Sequence, residues 1–453
     1  VALEVHRTVR HLCRGDGAGR SQKRIRSWRL RTDLLKYAII NPAMRNPWVQ
    51  LAFLCAIFFI YTLDRAFLGL LAIPIQEETG IGDIAFGFLN SAIFWTYAAV
   101  VPFAGLAGDR FNRVRLVGLA VVFWSVMTVC AGFAGGFVPL LFFASVAVVI
   151  PQTIYSPTAS ALIASVHKNT QTVAMSCHQA AFYTGWFISG ASVAVLLSAF
   201  GTWRMAFFAF GGLGLLLGGA FLWFVGCTDG TSGAIGTSGA KPTLSDSLHA
   251  YFGCKSALLA SVAYVMVVFV SCGYCAWGPK FVAEKFGVSP ATAGTGVMFW
   301  HYAASFAAIL VAGFLTDAFV RKFSRFRMVL SSCALVLAIP SLVLFAFAPT
   351  LPLTFVGAAF LGAMLGVLGA NQFTNLFDVI PSDCRSGAIG FLNVAAGLVG
   401  SLSPMILGGL SQTWGIRGLE IGFAAMGVTL LQPIVAFAIS YFFTFNRERL
   451  VET

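Results

Sequence analysis

Twelve long apolar segments follow one another along most of this chain, separated by short polar breaks. A stretch of about 20 apolar residues can cross the hydrocarbon core of a bilayer as a helix, and a backbone in lipid has to satisfy its own hydrogen bonds. The chain is 58% hydrophobic and 10% charged, whereas a typical soluble domain is about 25% charged. The sequence therefore predicts an all-α membrane protein with twelve transmembrane helices. We number these helices as spans 1 to 12, with predicted bounds 48–75, 84–105, 115–135, 139–166, 172–198, 203–226, 256–279, 290–316, 328–347, 352–377, 387–411 and 420–445.

One loop pattern, Gly-x-x-x-Asp-x-x-x-Arg, occurs twice at a separation of 208 residues. The first copy runs from Gly105 to Arg113 and the second from Gly313 to Arg321. Each copy begins near the end of one apolar segment and precedes the next. An internal duplication of membrane spans is typical of secondary transporters built from two homologous halves. We therefore predict two pseudo-symmetric six-helix bundles.

The distribution of charge predicts how these bundles are oriented. A Gly/Ser-rich break at 227–255 has the composition of a cytoplasmic linker, and it separates an N-terminal bundle, 48–226, from a C-terminal bundle, 256–445. The two tails, 1–47 and 446–453, and the even-numbered breaks together hold 24 Lys and Arg residues, whereas the odd-numbered breaks hold four. The positive-inside rule then places both termini in the cytoplasm, at a plasma membrane or a bacterial inner membrane.

Much of the net charge of +12 lies in the tail 1–47. A basic tail beside a first span can face anionic lipid headgroups, and an Arg-rich, acid-poor stretch is also typical of a transit peptide. Nucleic-acid binding would need aromatic residues interleaved with this charge, and the tail has only Trp28 and Tyr37. We predict no nucleic-acid partner.

Two further patterns are explained by helix packing rather than by chemistry. Cys272 and Cys275 have redox-type spacing, but they lie in an apolar segment with no nearby cation to stabilise a thiolate. Gly211 and Gly214 are similar to part of a dinucleotide loop, but no strand precedes them, so we expect close contact between helices. The sequence contains no evident metal cluster, nucleophile–base pair or phosphate loop. We therefore predict no enzymatic activity, no cofactor and no metal.

Twelve spans, a central linker and a duplicated loop resemble the major facilitator superfamily, from about Trp48 to Phe445. In that family the loop Asp and Arg residues hold the cytoplasmic ends of neighbouring helices together in one conformation. The first copy departs from the family pattern at Asn112 and Val114. The resemblance implies a conformational latch formed by Gly105, Asp109, Arg110, Arg113, Asp317 and Arg321.

Two shorter motifs resemble the anion:cation symporter and Spinster-like groups of that superfamily. Tyr61-Thr-Leu-Asp64-Arg65 is similar to their (Y/N)-x-(L/M/V)-D-R, and the stretch from Gly201 to Arg204 is similar to a G-W-R-x-x-F element. These groups carry sugar acids, other organic anions, or lysolipids and sphingolipid phosphates. The resemblance implies a cargo of one of these kinds.

Asp64 and Arg65 are the charged pair expected inside the bilayer. Asp64 lies sixteen residues beyond Trp48, which is about 24 Å along a helix. Ionisable groups at that depth are costly and usually functional. Burial of a carboxyl group disfavours its charged form, and this suits Asp64 to exchange protons, while Arg65 can bind a carboxylate or phosphate. Adjacent helical residues point about 100° apart, so we expect one side chain to face the cavity and the other a neighbouring span. A purely structural pair remains the alternative.

Span 4 departs from the anion-coupled relatives, which usually carry Arg and, seven residues later, Glu. Ser145 and Gln152 stand at those positions here, so proton coupling would rest on Asp64, or the protein is uncoupled. His178 and His301 are further candidates for a proton relay because histidine titrates near neutral pH. The alternative for both is a neutral histidine that hydrogen-bonds between helices.

Other polar side chains at membrane depth are candidates for substrate binding. Asn371 and Asn375 are one helical turn apart and share a face. We expect about half of the set to line a central cavity and the rest to hydrogen-bond neighbouring spans. With Arg65, the candidates are Gln152, Tyr155, Tyr183, Trp300, Asn371, Asn375 and Asn393.

These observations predict a secondary active transporter that carries a small organic anion, a sugar acid or a carboxylate, with protons. The predicted mechanism is alternating access about a midplane site. The alternative is a Spinster-like transporter of lysolipids or other amphiphiles, and a membrane receptor or sensor that kept the fold is a third possibility. We expect the protein to act as a monomer in the bilayer.

Overall fold

The structure is a computed structural model and describes residues 46–167, 170–225, 244–320, 322–323, 325–381 and 384–449. Twelve of the helices in these ranges are long and apolar enough to cross a membrane, so the predicted fold class is confirmed. The observed bounds are Pro47–Leu70, Asp83–Ala104, Arg113–Gly132, Phe137–Val166, Val173–Phe200, Arg204–Phe224, Lys255–Phe286, Pro290–Thr316, Phe326–Phe347, Leu351–Phe377, Gly387–Trp414 and Ile416–Glu448. We keep the span numbers 1 to 12 for these helices.

Three spans are interrupted a turn before a proline. Proline has no N–H to donate to the carbonyl four residues earlier, so regular helix bonding fails there. Span 4 passes through a π-helical turn, Leu141–Ala147, before Pro151. Span 11 breaks at Ser401, ahead of Pro404, and span 12 breaks at Leu430, ahead of Pro433. The corresponding helices are Phe137–Leu140, Val149–Val166, Arg385–Gly400, Leu402–Trp414, Ile416–Thr429, Leu431–Ile439 and Phe445–Glu448, with a second π-helical turn at Ser440–Thr444.

Two short helices lie between the spans. Ala72–Thr79 follows span 1 and ends at Gly80, which adopts a left-handed conformation with φ of 67°. Leu244–Gly253 precedes span 7, so this part of the predicted Gly/Ser linker is helical. Its Tyr251 is 4% exposed and its hydroxyl lies 2.6 Å from that of Ser261, which fixes the short helix against span 7.

Glycines bring several spans into close contact. A Cβ added at Gly211 would lie 3.0 Å from the carbonyl oxygen of Ser125, and one at Gly214 would collide with the Ser125 hydroxyl. The predicted packing role of Gly211 and Gly214 is therefore confirmed, between spans 6 and 3. Gly190 meets Gly294 in the same way where spans 5 and 8 cross. That second contact joins the two halves of the molecule.

Candidate functional site

Asp64 lies deep in span 1. The side chain of Asn46 accepts a hydrogen bond from the Trp48 N–H and Pro47 opens the helix, so this start is well defined. Asp64 then follows seventeen residues after Pro47, about 26 Å along the axis. We call the end where span 1 begins the inner end and the end where it finishes the outer end, following the predicted topology.

The carboxyl group of Asp64 is only partly satisfied. The Thr128 hydroxyl donates to Asp64 Oδ2 over 3.4 Å, while Oδ1 is buried and has no hydrogen-bond partner. One turn away on span 3, the indole N–H of Trp124 is also buried without a partner. Buried polar atoms usually find partners, so Asp64 Oδ1 is available to accept a proton or a hydrogen bond, and the Trp124 N–H is available to donate to a water molecule or a ligand.

Arg65 points away from Asp64, toward span 4 and the interior. Its Nε donates to Gln152 Oε1 over 3.2 Å, and its guanidinium carbon lies 5.3 Å from the ring centre of Tyr61 and 5.6 Å from that of Tyr97. Its Nη2 and the Gln152 Nε2 are both buried without a partner. Neither Asp64 nor Arg65 belongs to an ion pair within the described part of the chain. The two residues therefore diverge in the way that helix geometry predicts.

Ser145 adds another unsatisfied group on span 4. It lies in the π-helical turn Leu141–Ala147 and is fully buried. Its hydroxyl, like that of Ser125 on span 3, has no partner. Six buried, unpartnered polar atoms thus lie on spans 1, 3 and 4. They are Asp64 Oδ1, Arg65 Nη2, Trp124 Nε1, Ser125 Oγ, Ser145 Oγ and Gln152 Nε2, and we call them the span 1 cluster.

The C-terminal half contributes a hydrogen bond between spans 7 and 11. Tyr264 on span 7 donates to Asn393 Oδ1 on span 11 over 2.8 Å. The side-chain oxygen of the predicted residue Asn393 is therefore engaged within the C-terminal half.

Asn371 and Asn375 differ in how far their amides are satisfied. The side chain of Asn371 accepts from Thr316 over 3.1 Å and donates to the Val367 carbonyl over 3.2 Å. Asn375 donates to Ser331 over 3.4 Å, and its Oδ1 is buried without a partner. Asn371 mainly braces spans 8 and 10, whereas Asn375 keeps a free acceptor beside a small cavity that Tyr264 also lines.

Tyr155 and His178 form a buried brace at the inner part of the N-terminal bundle. The Tyr155 hydroxyl donates to the Leu54 carbonyl over 3.0 Å and lies 3.2 Å from His178 Nε2. The His178 ring stacks on Phe58 at 4.1 Å. A tyrosine hydroxyl has one proton, so a hydrogen bond to Leu54 leaves His178 Nε2 to donate to the tyrosine oxygen. Spans 1, 4 and 5 are joined here.

The remaining candidates lie apart from the span 1 cluster. His301 is 3% exposed and stacks on Tyr274 at 4.5 Å, with its Nδ1 buried and unpartnered. Tyr183 packs on Phe306 of span 8 at 5.7 Å. Trp300 is 48% exposed on the surface of span 8 that faces away from the protein. The structure therefore does not bring the three proton candidates Asp64, His178 and His301 together.

The predicted latch falls largely outside the described residues. The helix of span 2 continues through Gly105 to Arg110, but the side chains of Asp109, Arg110, Asp317 and Arg321 lie outside the described residues. Arg113 begins span 3 directly after Asn112, whose side chain accepts from the Arg115 N–H over 3.0 Å. The asparagine that departs from the family pattern therefore caps span 3.

A second polar cluster joins the two halves at the outer end and was not among the predicted site residues. Lys280 Nζ lies 2.5 Å from Asp83 Oδ1 and 2.8 Å from Gln76 Oε1. Ser411 donates to Asp83 Oδ2 over 2.5 Å, and the Ile84 N–H donates to Gln412 over 3.0 Å. We call Gln76, Asp83, Lys280, Ser411 and Gln412 the outer gate. The signal in the sequence is an acid opening span 2 and a lysine late in span 7, on the side with few cations.

A different ion pair lies at the same end but within one half. Arg204 Nη2 lies 2.7 Å from Glu78 Oε1, and its Nη1 donates to the carbonyls of Gly132 and Ala134 over 2.8 and 2.9 Å. The hydrogen bond from Arg204 lowers the pKa of Glu78, aided by that from Trp203. The C-terminal half repeats this arrangement with the charges exchanged, because Lys285 pairs with Glu420 at 2.8 Å and donates to the Ala346 carbonyl.

Comparison with known proteins identifies the family. A sequence profile of the Major Facilitator Superfamily matches residues 53–283 and, again, residues 260–450. The chain belongs to the Major Facilitator Superfamily. The matched members of this superfamily are membrane transporters rather than enzymes.

Two relatives and one structure place the chain within the superfamily. The hexuronate transporter of Bacillus subtilis (strain 168) is 25% identical over 417 residues, 86% of this chain and 95% of the relative. Protein spinster homolog 1 of Rattus norvegicus is 28% identical over 246 residues, 51% of this chain and 45% of the relative. This chain thus spans less than half the length of that Spinster relative. A bacterial homolog of the human lysosomal transporter Spinster, solved in an inward-facing and unoccupied conformation, has the same fold, with a TM-score of 0.77 and 21% identity over 91% of this chain and 100% of that one.

Proposed function

We propose that this protein carries a small organic anion, a sugar acid or a carboxylate, across the membrane together with protons. The observation that supports this most is the span 1 cluster, in which an acid and a cation lie side by side in sequence without pairing. Arg65 Nη2 and Gln152 Nε2 are two unpartnered donors linked through one hydrogen bond. Together they offer two N–H donors to a carboxylate. A single cation suits a monoanion.

Asp64 is the proposed site of the coupled proton. Its Oδ1 accepts no hydrogen bond and its Oδ2 accepts one long one from Thr128, so either oxygen can take up a proton without losing a strong ionic partner. The hexuronate transporter, which matches 86% of this chain, supports a sugar acid as cargo. His178 is bonded to Tyr155, so we assign it a bracing role.

Alternating access follows from where the two halves are joined. Several hydrogen bonds between the halves lie toward the outer end, in the outer gate and between Ser91 and the Ser401 carbonyl. We infer that these bonds close the span 1 cluster from the outer end and that the cluster exchanges with the inner side in this conformation. Release of the outer gate, with closure of the inner end, would expose the same cluster to the opposite side.

Transport into proteoliposomes tests this proposal. We expect an inward proton gradient to accelerate uptake of radiolabelled D-glucuronate several-fold. Asp64→Asn should remove this acceleration while exchange of labelled for unlabelled substrate continues, and Arg65→Gln should abolish both. Thr128→Val is the matched control, because it removes only the 3.4 Å bond to Asp64 and should retain gradient-driven uptake. An equal rate of uptake by the native protein with and without the proton gradient would contradict the coupling.

An aromatic seam favours a second candidate, a Spinster-like transporter of lysolipids or other amphiphiles. Spans 5 and 8 meet through ring pairs, with Trp186 stacked on Tyr302 at 4.8 Å and Phe187 6.1 Å from Phe299. Such rings can separate without breaking a strong hydrogen bond, and they would then expose an apolar face to lipid. Uptake of a labelled lysophospholipid, with no uptake of D-glucuronate, would select this candidate.

A further inference from the structure

The inner end of span 12 carries a dense group of cations. Arg447 and Arg449 follow the π-helical turn Ser440–Thr444, and Lys322 and Arg325 lie on the turn between spans 8 and 9. The guanidinium carbon of Arg325 lies 4.5 Å from the ring centre of Tyr441, and its Nε donates to Asn446 over 3.2 Å. Because of these contacts, the turn and the end of span 12 form one surface.

Glu448, the acidic residue in this segment, points toward the start of span 7 rather than toward these cations. Glu448 stands between Arg447 and Arg449, but its carboxylate accepts from the Ser256 N–H over 2.7 Å and the Lys255 N–H over 3.2 Å. It therefore caps the start of span 7, a position where the helix dipole favours a negative charge. Among the residues that the structure describes, none of the four cations has a carboxylate within ion-pair distance.

Aromatic side chains border these cations on the lipid side. Phe442 is 72% exposed and Phe443 is 69% exposed on span 12, while Phe319 and Phe323 are 46% and 41% exposed beside the turn. We call the eight residues the span 12 patch, comprising Phe319, Lys322, Phe323, Arg325, Phe442, Phe443, Arg447 and Arg449. Exposed rings next to unpaired cations match a ligand with acyl chains below a negatively charged headgroup.

We propose that the span 12 patch binds the headgroup of an anionic phospholipid. Arginine forms forked hydrogen bonds to phosphate oxygens, and Arg325 is already oriented by Tyr441 and Asn446. The exposed phenylalanines favour a lipid over free phosphate, because free phosphate gains nothing from apolar contact. The bound lipid would hold the turn between spans 8 and 9 to span 12, next to the start of span 7. This inference does not depend on the transported substrate.

Binding of fluorescent phosphatidylglycerol to the purified full-length protein, compared with phosphatidylcholine, tests the proposal. We expect preferential binding of phosphatidylglycerol, which Arg447→Gln with Arg449→Gln should weaken about 30-fold, the effect of two cations lost near a lipid phosphate. The matched control is Arg115→Gln with Arg417→Gln, which removes two exposed cations outside the patch and should leave the binding constant unchanged. The thermal unfolding of each variant, measured in phosphatidylcholine, checks that it is folded.

Three outcomes would overturn the proposal. Equal binding of the two lipids by the native protein would show that the patch does not select a negative headgroup. Equal loss in both double variants would show that only overall charge matters. Displacement of the lipid by millimolar inorganic phosphate, with equal stabilisation by phosphate alone, would identify a free anion as the ligand.

Discussion

Removal of the Lys280 ammonium should release the outer gate. Lys280 and Asp83 are 2.5 Å apart, with side chains 8% and 16% exposed, so the pair is largely shielded from water. Loss of one partner from a buried pair costs about 3 kcal/mol or more, because the other charge stays buried. That cost falls only on the conformation in which the gate is closed. Lys280→Met should therefore shift the ratio of closed to open outer ends about 100-fold toward open.

Distance measurements between spin labels at Gly135 and Thr350 report this shift. Both positions are exposed in outer loops, one in each half. Labels attached through an unnatural amino acid are needed because the chain has ten cysteines. We expect longer distances in Lys280→Met than in the native protein. The exchanged pair, Asp83→Lys with Lys280→Asp, should return toward the native distribution.

A matched control separates the gate from general damage at the outer end. Glu78→Gln breaks the Glu78–Arg204 pair, which lies at the same end but within the N-terminal half. It should leave the distance between the labels unchanged. An unchanged distribution in Lys280→Met, or an exchanged pair as open as the single variant, would refute the assignment of this cluster as a gate.

Three further predictions concern the framework around the site. The Arg204 hydrogen bond lowers the pKa of Glu78. The Glu78–Arg204 pair therefore stabilises the fold above the usual glutamate pKa, and this stabilisation is lost as pH falls through the lowered value. Melting temperatures measured against pH should show this loss in the native protein and not in Glu78→Gln. Tyr155→Phe removes the hydrogen bonds to Leu54 and His178 and should lower the free energy of unfolding by about 1–3 kcal/mol. Proton-driven uptake should persist. Loss of proton coupling in this variant would instead make His178 part of the proton relay. Gly214→Ala places a methyl group against Ser125 and should cost about 1–3 kcal/mol, whereas Gly212→Ala, which meets open space, should be neutral.

Much of the fold could be predicted because bilayer thickness and backbone hydrogen bonding leave few alternatives for long apolar segments. The twelve spans follow from this directly, and the two-fold repeat follows from the duplicated loop pattern. The interruptions in spans 4, 11 and 12 each precede a proline such as Pro151, but Pro102, Pro279 and Pro340 lie inside continuous helices, so a proline alone does not predict a break. The helix Leu244–Gly253 was missed because the Gly/Ser run beside it dominated the composition of the break.

The candidate site was only partly predictable. Asp64, Arg65 and Gln152 stand out because polar groups at membrane depth are rare, but sequence alone does not tell an engaged polar group from a free one. His178 and Asn371 have the same residue-level signal as Asn375, and only the contacts show that their hydrogen bonds are largely used. The outer gate was missed because Asp83 and Lys280 are nearly 200 residues apart and each looks like an ordinary charge at the end of a span.

Infrared titration of the Asp64 carboxyl in oriented proteoliposomes tests the central claim most directly. The carboxyl band is assigned by its loss in Asp64→Asn, and the pH is changed on one side of the membrane at a time. In the native protein, with the outer gate closed, the band should respond to pH on the inner side and not on the outer side. In Lys280→Met it should respond to the outer side. In the proposed mechanism, Asp64 is exposed to one aqueous compartment at a time. This would be contradicted by a band that responds to pH on both sides of the membrane in the same protein. It would also be contradicted by a band that responds to pH on neither side in both proteins.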